Sequence, residues 1–540
     1  MNKKLSLLTV AALVIVSVFA GMEINQLISG DNLYDQVNKF REVLGLTEKY
    51  YLEPVDPAKL TDAAVTGLLD KLDPHSTYIP PRALVSVTEE FRGEFEGIGI
   101  RFTVRNDSIF VVETIGGGPS ARLGIQTNDR IVRINDSSAV GLTNDQVIQR
   151  LRGPKGTRVG VSIARPGVKD LLDFEIVRDK IALTSVDVAM MVTDEIGYIS
   201  VNRFSEKTNV EMDQALRSLK AQGMKRLILD LRDNPGGLLE QAFKMVDLFL
   251  DGGTTDAPHK IVYTKSRRPE FDEVYYARTG QAYEHLPLII LINNNSASAS
   301  EIVAGAIQDW DRGLIVGETS FGKGLVQRQF QLDDGSALRL TIARYYTPSG
   351  RSIQREYEGK ERAEYQREAF TRQEREGENI EHTEERDTTR PMYRTHDGRV
   401  VYGGGGITPD YVIKNAPLTP FTRALLRRGL FDQFVTAYLD GKGLSIRSAY
   451  GKNREAFEQS FKVTEDLLKD FRSYITQRDV TINQEDYDKD VGFFRVRLKA
   501  TLARSFWGNE GWYPLMLQID PPFRKALSLF PEAEKIAGLN

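Results

Sequence analysis

The pattern of apolar and polar positions divides the chain into stretches of different texture. Leu5 to Ala20 is apolar or small throughout and follows Lys3 and Lys4, which predicts a secretory signal within residues 1–28. An uncleaved anchor is the rival reading, because a run this short sits at the lower limit for spanning a bilayer. Residues 29–85 read as helical. Asp56-Pro57 makes a helix start, Leu60, Ala64, Leu68 and Leu72 recur every fourth position, and Pro80-Pro81 end the pattern. Between 86 and 180 the period shortens towards two with glycine turns, in GIGIRF, IFVVETI, DRIVRIND and RVGVSIARPG. Two short helical pieces, from Pro119 and Thr143, interrupt these strands.

From 181 to 415 wholly apolar strands alternate with amphipathic helices. Met212, Ala215, Leu216 and Leu219 mark a helix over 209–222, and the strand KRLILDL runs into the turn RDNPGG. Leu239, Phe243, Val246 and Leu250 mark the next helix, and LPLIILIN leads through SASASE into another that reaches Trp310. Apolar strands joined by helices predict a largely parallel sheet covered on both faces. Residues 355–396 interrupt this pattern with Glu, Arg and Gln; Glu358–Arg362 and Glu368–Arg372 are spaced as helix-supporting pairs, which predicts a solvated helix or a floppy insertion. Residues 416–540 read as a helical C-terminal domain carrying Trp507 and Trp512.

Composition narrows the function classes. A chain of 540 residues exceeds one core and predicts several domains. Its 71 basic against 75 acidic residues lack the basic excess of a dedicated nucleic-acid binder. There is no cysteine, which removes disulfides, thiol nucleophiles and thiolate metal sites. Five histidines with no HExxH give no basis for a zinc site, so neither metal nor cofactor is expected.

The candidate chemistry lies at strand ends. In SASASE (Ser296 to Glu301) a serine stands between an apolar strand and a helix start, at the carboxyl edge where open α/β sheets bind ligands. The helix N-terminus offers unpaired N–H groups to an oxyanion. Ser298 and Glu301 also fit a capping box, which needs no catalysis. Twenty-five residues beyond Ser298, FGKG places Lys323 between two glycines. An amine with the ordinary pKa near ~10.4 is no base at neutral pH, so this role requires a poorly solvated lysine. GETSFGKG nearly fits a phosphate loop, but Gly324 replaces the metal-binding hydroxyl and LVQRQFQL alternates as a strand where a helix is needed. RDNPGG can expose backbone N–H groups for an oxyanion. EGIGIRF can hold a peptide carboxylate while the peptide adds as a strand.

In this order, LDPHSTY, GIGI, LRGPKGT, DLRDNPGG, SASASEI, FGKG-x-VQ and GGGITPD resemble the C-terminal processing peptidases, or tail-specific proteases. The resemblance implies a multidomain α+β protein. A PDZ-like domain (86–180) is inserted before a crotonase-like protease core (181–415), and helical segments lie at both ends. It implies a serine endopeptidase that recognises protein C-termini, with Ser298 as nucleophile, Lys323 as base, Gln327 orienting the lysine and Asp309 as a further active-site position. The oxyanion donors are then the N–H of Ala299 and of Gly236 or Gly237. Gly97, Ile98, Gly99 and Ile100 would form the carboxylate loop, and Arg152 would couple that domain to the core. Expected partners are protein or peptide substrates with apolar C-termini, with an adaptor protein and a homo-oligomer left open. The expected location is the periplasm or cell envelope, with membrane contact through the N-terminal segment alone. The alternative is an envelope scaffold with a PDZ domain and an inactive protease core.

Overall fold

The computed structural model describes residues 17, 33–105, 107–165, 167–379 and 389–539, so the predicted signal or anchor lies outside the described residues except for Ser17. Among them no helix is long and apolar enough to cross a membrane. The chain divides into a unit ending at Ile79 and a unit starting at Pro80. The first contains α1 (Leu33–Tyr50) and α2 (Pro57–Leu69). Asp56 caps α2, its carboxylate accepting the Ala58 N–H at 3.0 Å, and Pro57 fills the first turn, where a missing N–H is harmless.

The second unit opens with α3 (Pro81–Arg92), a helix the sequence reading did not anticipate. Prolines that end one helix also suit the start of another, because the fixed φ fits the first turn. The PDZ-like region follows as β1 (Glu94–Gly97), β2 (Ile100–Arg105), β3 (Ser108–Thr114), β4 (Arg130–Ile134), α4 (Asn144–Leu151), β5 (Arg158–Ala164), β6 (Leu172–Val177) and β7 (Asp179–Ala182). Strands β2 to β6 form an antiparallel sheet in sequence order. Ile109, Val111, Ile131, Val161 and Ile163 pack there against Val147 and Leu151 of α4. β1 pairs with β7, so the chain enters and leaves the domain through one ribbon.

The core comprises β8 (Val186–Met191), β9 (Ile196–Val201), α5 (Thr208–Ala221), β10 (Arg226–Asp230), α6 (Leu239–Asp247), β11 (Lys260–Lys265), β12 (Val274–Tyr276), β13 (Leu288–Ile292), α7 (Ala299–Asp309), β14 (Leu314–Gly317), β15 (Leu325–Gln331), β16 (Ala337–Tyr346), α8 (Arg362–Arg375) and β17 (Tyr411–Val412). The main sheet runs β8-β9-β10-β13-β14-β17, with β8 antiparallel and the remaining neighbours parallel. Its strands alternate between two apolar layers. Leu227, Leu229, Leu288 and Ile290 face α5, α6 and α7, while Ile228, Ile289 and Leu291 face the opposite side. β15 and β16 form a hairpin that continues through β11 to β12 in a second sheet.

The chain then continues through α9 (Pro420–Arg427), α10 (Leu430–Leu439), α11 (Glu465–Thr476), α12 (Gln484–Trp507), α13 (Asn509–Met516), α14 (Pro521–Ser528) and α15 (Phe530–Ile536). α9 to α12 build their own aromatic core around Phe431, Phe434, Phe471 and Phe494. α14 and α15 instead return to the protease core. Phe523, Leu529 and Phe530 cover the second face of the main sheet.

The charged insertion departs from the sequence expectation. α8 is not simply solvated: Tyr365 is fully buried and Ala369 nearly so. Arg372 donates to the carbonyls of Ser320 and Gly405 instead of pairing with Glu368, which bonds Lys360 at 2.8 Å. An exposed i,i+4 pair contributes only ~0.2–0.5 kcal/mol, so buried carbonyls needing a donor outweigh it.

Candidate active site

Ser298 stands at the step from β13 into α7, at the carboxyl end of the strand. Its backbone has φ 53° and ψ −110°, a conformation that L residues adopt only where the surroundings impose it. Its two sister serines are fully buried and already engaged, with Ser296 Oγ donating to the Leu231 carbonyl at 2.8 Å and Ser300 Oγ to that of Asn234 at 3.0 Å. They tie the serine loop to Leu231, just before the RDNPGG loop, and to Asn234 within it. Ser298 lines a cleft of about 910 Å³ together with Lys323, Gln327, Gly236, Gly237 and Tyr345.

Two buried groups hold Ser298 against Lys323. Glu301 Oε2 accepts the N–H of Ser298 at 2.8 Å and that of Lys323 at 2.9 Å. Its Oε1 accepts the Gly322 N–H at 2.7 Å and the Ser320 hydroxyl at 2.6 Å. The reciprocal half of the predicted capping box thus forms, and the carboxylate does more than cap. Burial pushes the Glu301 carboxyl above its ordinary range, although these donors pull the other way. On the other side the Tyr345 hydroxyl lies 2.6 Å from the Lys323 carbonyl and 3.0 Å from that of Ser298. Lys323 Nζ donates to Gln327 Oε1 at 2.8 Å, and Gln327 sits on β15, fixed by the β16 register. The insertion supports the lysine loop from behind. Gln354 accepts the Gly324 N–H at 2.9 Å, and Arg355 N–H donates to Gly322 at 3.0 Å.

The RDNPGG loop brings backbone directly to the serine. A Cβ on Gly236 would lie 2.8 Å from that of Ser298 and 2.6 Å from the Ala297 carbonyl, so only glycine fits this approach. The Gly236 N–H, however, donates to Asn234 Oδ1 at 2.9 Å and is committed to the turn. Gly237 bridges Phe204 through the Phe204 N–H to Gly236 carbonyl and the Leu238 N–H to Phe204 carbonyl, a pattern that leaves the Gly237 N–H outside the ladder. Ala299 is the first residue of α7, and a helix has no internal acceptor for its first N–H groups.

Asp309 is placed elsewhere. It closes α7, about 16 Å of helix beyond Ser298, and is buried in an ion pair with Arg351 at 2.7 Å, with the Ser349 N–H on its second oxygen at 2.9 Å. It anchors the end of the helix and stands apart from Ser298 and Lys323.

In the PDZ-like region, Ile98, Gly99 and Ile100 line a groove of about 310 Å³ with Ile148, Leu151 and Arg152. Gly99 has φ 75° and lies against Ile181, which turns the loop. Gly97 ends β1 beside Phe95 and Arg152. Arg152 stacks its guanidinium 4.7 Å from the Phe95 ring and pairs with Glu89 of α3. The next two residues of that helix, Glu90 and Phe91, line the cleft containing Ser298. One helix therefore lines the cleft and bonds, through Glu89, to the Arg152 that lines the groove.

Comparison with known proteins places this arrangement. Residues 195–360 match peptidase family S41, residues 86–164 the PDZ domain, and residues 421–508 a family of unknown function. A carboxy-terminal-processing protease of Bartonella bacilliformis is 40% identical over 327 residues, which cover 60% of this chain and 74% of that protein. The chain belongs to the carboxy-terminal processing proteases of peptidase family S41. This protease is also 36% identical to the carboxy-terminal processing protease CtpA of Bacillus subtilis over 326 residues, 60% of this chain and 67% of the relative. A probable CtpA-like serine protease of Staphylococcus aureus is 35% identical over 342 residues, 63% and 67% of the two chains.

Three residues that organise this protease's site carry no functional signal of their own in the sequence. Glu301 reads as a helix cap, Tyr345 as one aromatic in the strand ALRLTIARYY, and Arg372 as one charge in a charged segment. The available signal was the buried polar demand of the FGKG loop, whose backbone N–H groups need an acceptor.

Proposed function

We propose that this protease is exported and cuts peptide bonds with a Ser298–Lys323 dyad after capturing substrate C-termini at its PDZ domain. The observation that carries the dyad is the double tether: Glu301 Oε2 and the Tyr345 hydroxyl each bond to the backbone of both residues. Neutral Lys323 Nζ takes the proton of Ser298 Oγ as that oxygen attacks the scissile carbonyl carbon. The N–H groups of Ala299 and Gly237 receive the oxyanion. As the intermediate collapses, Lys323 returns the proton to the leaving amine. Lys323 Nζ, neutral again, then takes a proton from the water that attacks the acyl-enzyme, and returns it to Ser298 Oγ as the ester bond breaks. Gln327 orients the lysine, and Asp309 acts at a distance by fixing the end of α7.

At the PDZ domain the loop Gly97–Ile100 would hold the terminal carboxylate, with the last apolar side chain among Ile98, Ile148 and Leu151. Arg152, bound to Glu89 on the helix that also lines the cleft, would pass that occupancy to the core. Export rests on the leader of residues 1–28.

The test is mass spectrometry of an unfolded protein substrate with an apolar C-terminus, incubated with the chain from Asp31 and with Ser298→Ala and Lys323→Arg. Fragments are expected from the parent alone. Fragments from Ser298→Ala would reject the nucleophile. The dyad also requires the rate to fall on the acid side as the lysine gains its proton; a profile flat into acid would reject Lys323 as base. Peptide binding without any cutting would favour the scaffold with an inactive core.

A further inference from the structure

The loop that presents the Gly237 N–H runs through left-handed backbone. Gly236 (φ 95°) and Gly237 (φ 148°) adopt it freely, whereas Asp233 (φ 58°) holds it as a side-chain-bearing residue, which the surroundings must favour. The residue that leads into this loop, Arg232, has its guanidinium largely buried between two carboxylates. It forks onto Asp230 at the end of β10, with Nη2 to Oδ2 at 2.6 Å and Nε to Oδ1 at 3.0 Å. Its Nη1 reaches Asp520 Oδ2 at 2.7 Å. Asp520 lies 288 residues further on, at the start of α14, where its other oxygen caps the helix by accepting the Phe523 N–H at 2.9 Å. Tyr198 completes the cluster, its hydroxyl donating to Asp230 Oδ2 at 2.6 Å and its ring meeting Phe523 edge-on at 5.6 Å.

We infer that Asp520 is a positioning residue for catalysis: through Arg232 the C-terminal helices brace the loop that presents the Gly237 N–H. This rests on the reading of that N–H as an oxyanion donor. The brace is a fixed strut, because Arg232 is held by both carboxylates and Asp520 by Arg232 and the Phe523 N–H. The last helices thus serve the reaction as well as covering the sheet. Without Asp520, Arg232 keeps one carboxylate of two and the loop loses its remote anchor. A donor shifted by a fraction of an ångström no longer meets the oxyanion where it develops.

The same tail supplies its own control. Glu534 of α15 pairs with Arg226 at 2.6 Å, at the opposite end of the same strand β10, away from the loop. Asp520→Asn keeps the capping oxygen and removes the charge that holds Arg232; Glu534→Gln removes a comparable tail anchor. In the full chain, Asp520→Asn is expected to lower kcat about 10-fold with KM within about twofold. It should also speed amide hydrogen exchange over residues 233–238, while Glu534→Gln leaves both at the parent level. Equal losses in the two variants would reduce the tail to a structural element and overturn the inference. Unchanged exchange or unchanged kcat in Asp520→Asn would overturn it as well. Ser298→Ala run in parallel separates the two questions. If that variant still cuts, the nucleophile assignment fails, and the exchange comparison alone decides the brace.

Discussion

At the residue scale the site is held by Glu301 and Tyr345 rather than by Ser298 and Lys323 themselves. Glu301 serves four donors with two oxygens. A glutamine offers one oxygen and turns an NH₂ towards two of those donors, and each buried polar group left unmatched costs ~1–3 kcal/mol. Glu301→Gln is therefore expected to lower kcat/KM by at least about 100-fold and to lower the melting temperature, read by peptide cleavage and thermal unfolding. Gly237→Ala should abolish activity, because its φ of 148° disfavours a side chain and the Cβ would run into the Phe204 carbonyl; a variant with parent activity would reject the tight bridge to Phe204. The choice of Ser298 over Ser296 and Ser300 came from the family resemblance. A serine between a strand end and a helix start, and a lysine between paired glycines, were legible in the sequence as local features. Tyr345 was not, since 47 residues separate it from Ser298 and nothing near it in sequence marks a bond to that residue.

At the element scale the ribbon β1–β7 joins the PDZ domain to the core, and Glu94 secures it. Its carboxylate bonds Lys180 of β7 at 2.6 Å and Lys207, just before α5, at 2.5 Å. These two lysines hold the Glu94 carboxyl down at about 2, below its ordinary 4.5. A depressed folded pKa means that the stabilisation is complete above pH 4.5 and is lost as pH falls from there towards 2. Denaturation of the parent and of Glu94→Gln should therefore differ at pH 7 and converge as pH falls below about 3. A gap of constant size across that range would reject the assignment. One element escaped the sequence reading and the setting of another was misread, each for a physical reason. α3 was hidden because proline both stops and starts helices. α8 was misjudged because a run of charges looks the same whether its few apolar residues meet water or, as with Tyr365, a buried loop.

At the scale of the whole molecule the last helices complete the core. Phe530 is almost wholly buried against the main sheet, so Phe530→Ala should destabilise the protein by about 3–5 kcal/mol. Denaturant titration would show this, and a change under about 1 kcal/mol would contradict the packing. The sequence by itself determined the parallel sheet, the strand-rich region before it, and the strand ends where Ser298, Lys323 and the glycine pair stand. Period and glycine placement are local and survive in one dimension; the PDZ domain was read from the family resemblance. Tertiary structure alone decided which N–H of Gly236 and Gly237 stays out of the turn's own bonding. It also decided that Glu301 and Tyr345 each bind the backbone of both Ser298 and Lys323, and that a carboxylate 288 residues away anchors Arg232. Buried donors and acceptors are matched in space, and a partner that far along the chain leaves no periodicity to read.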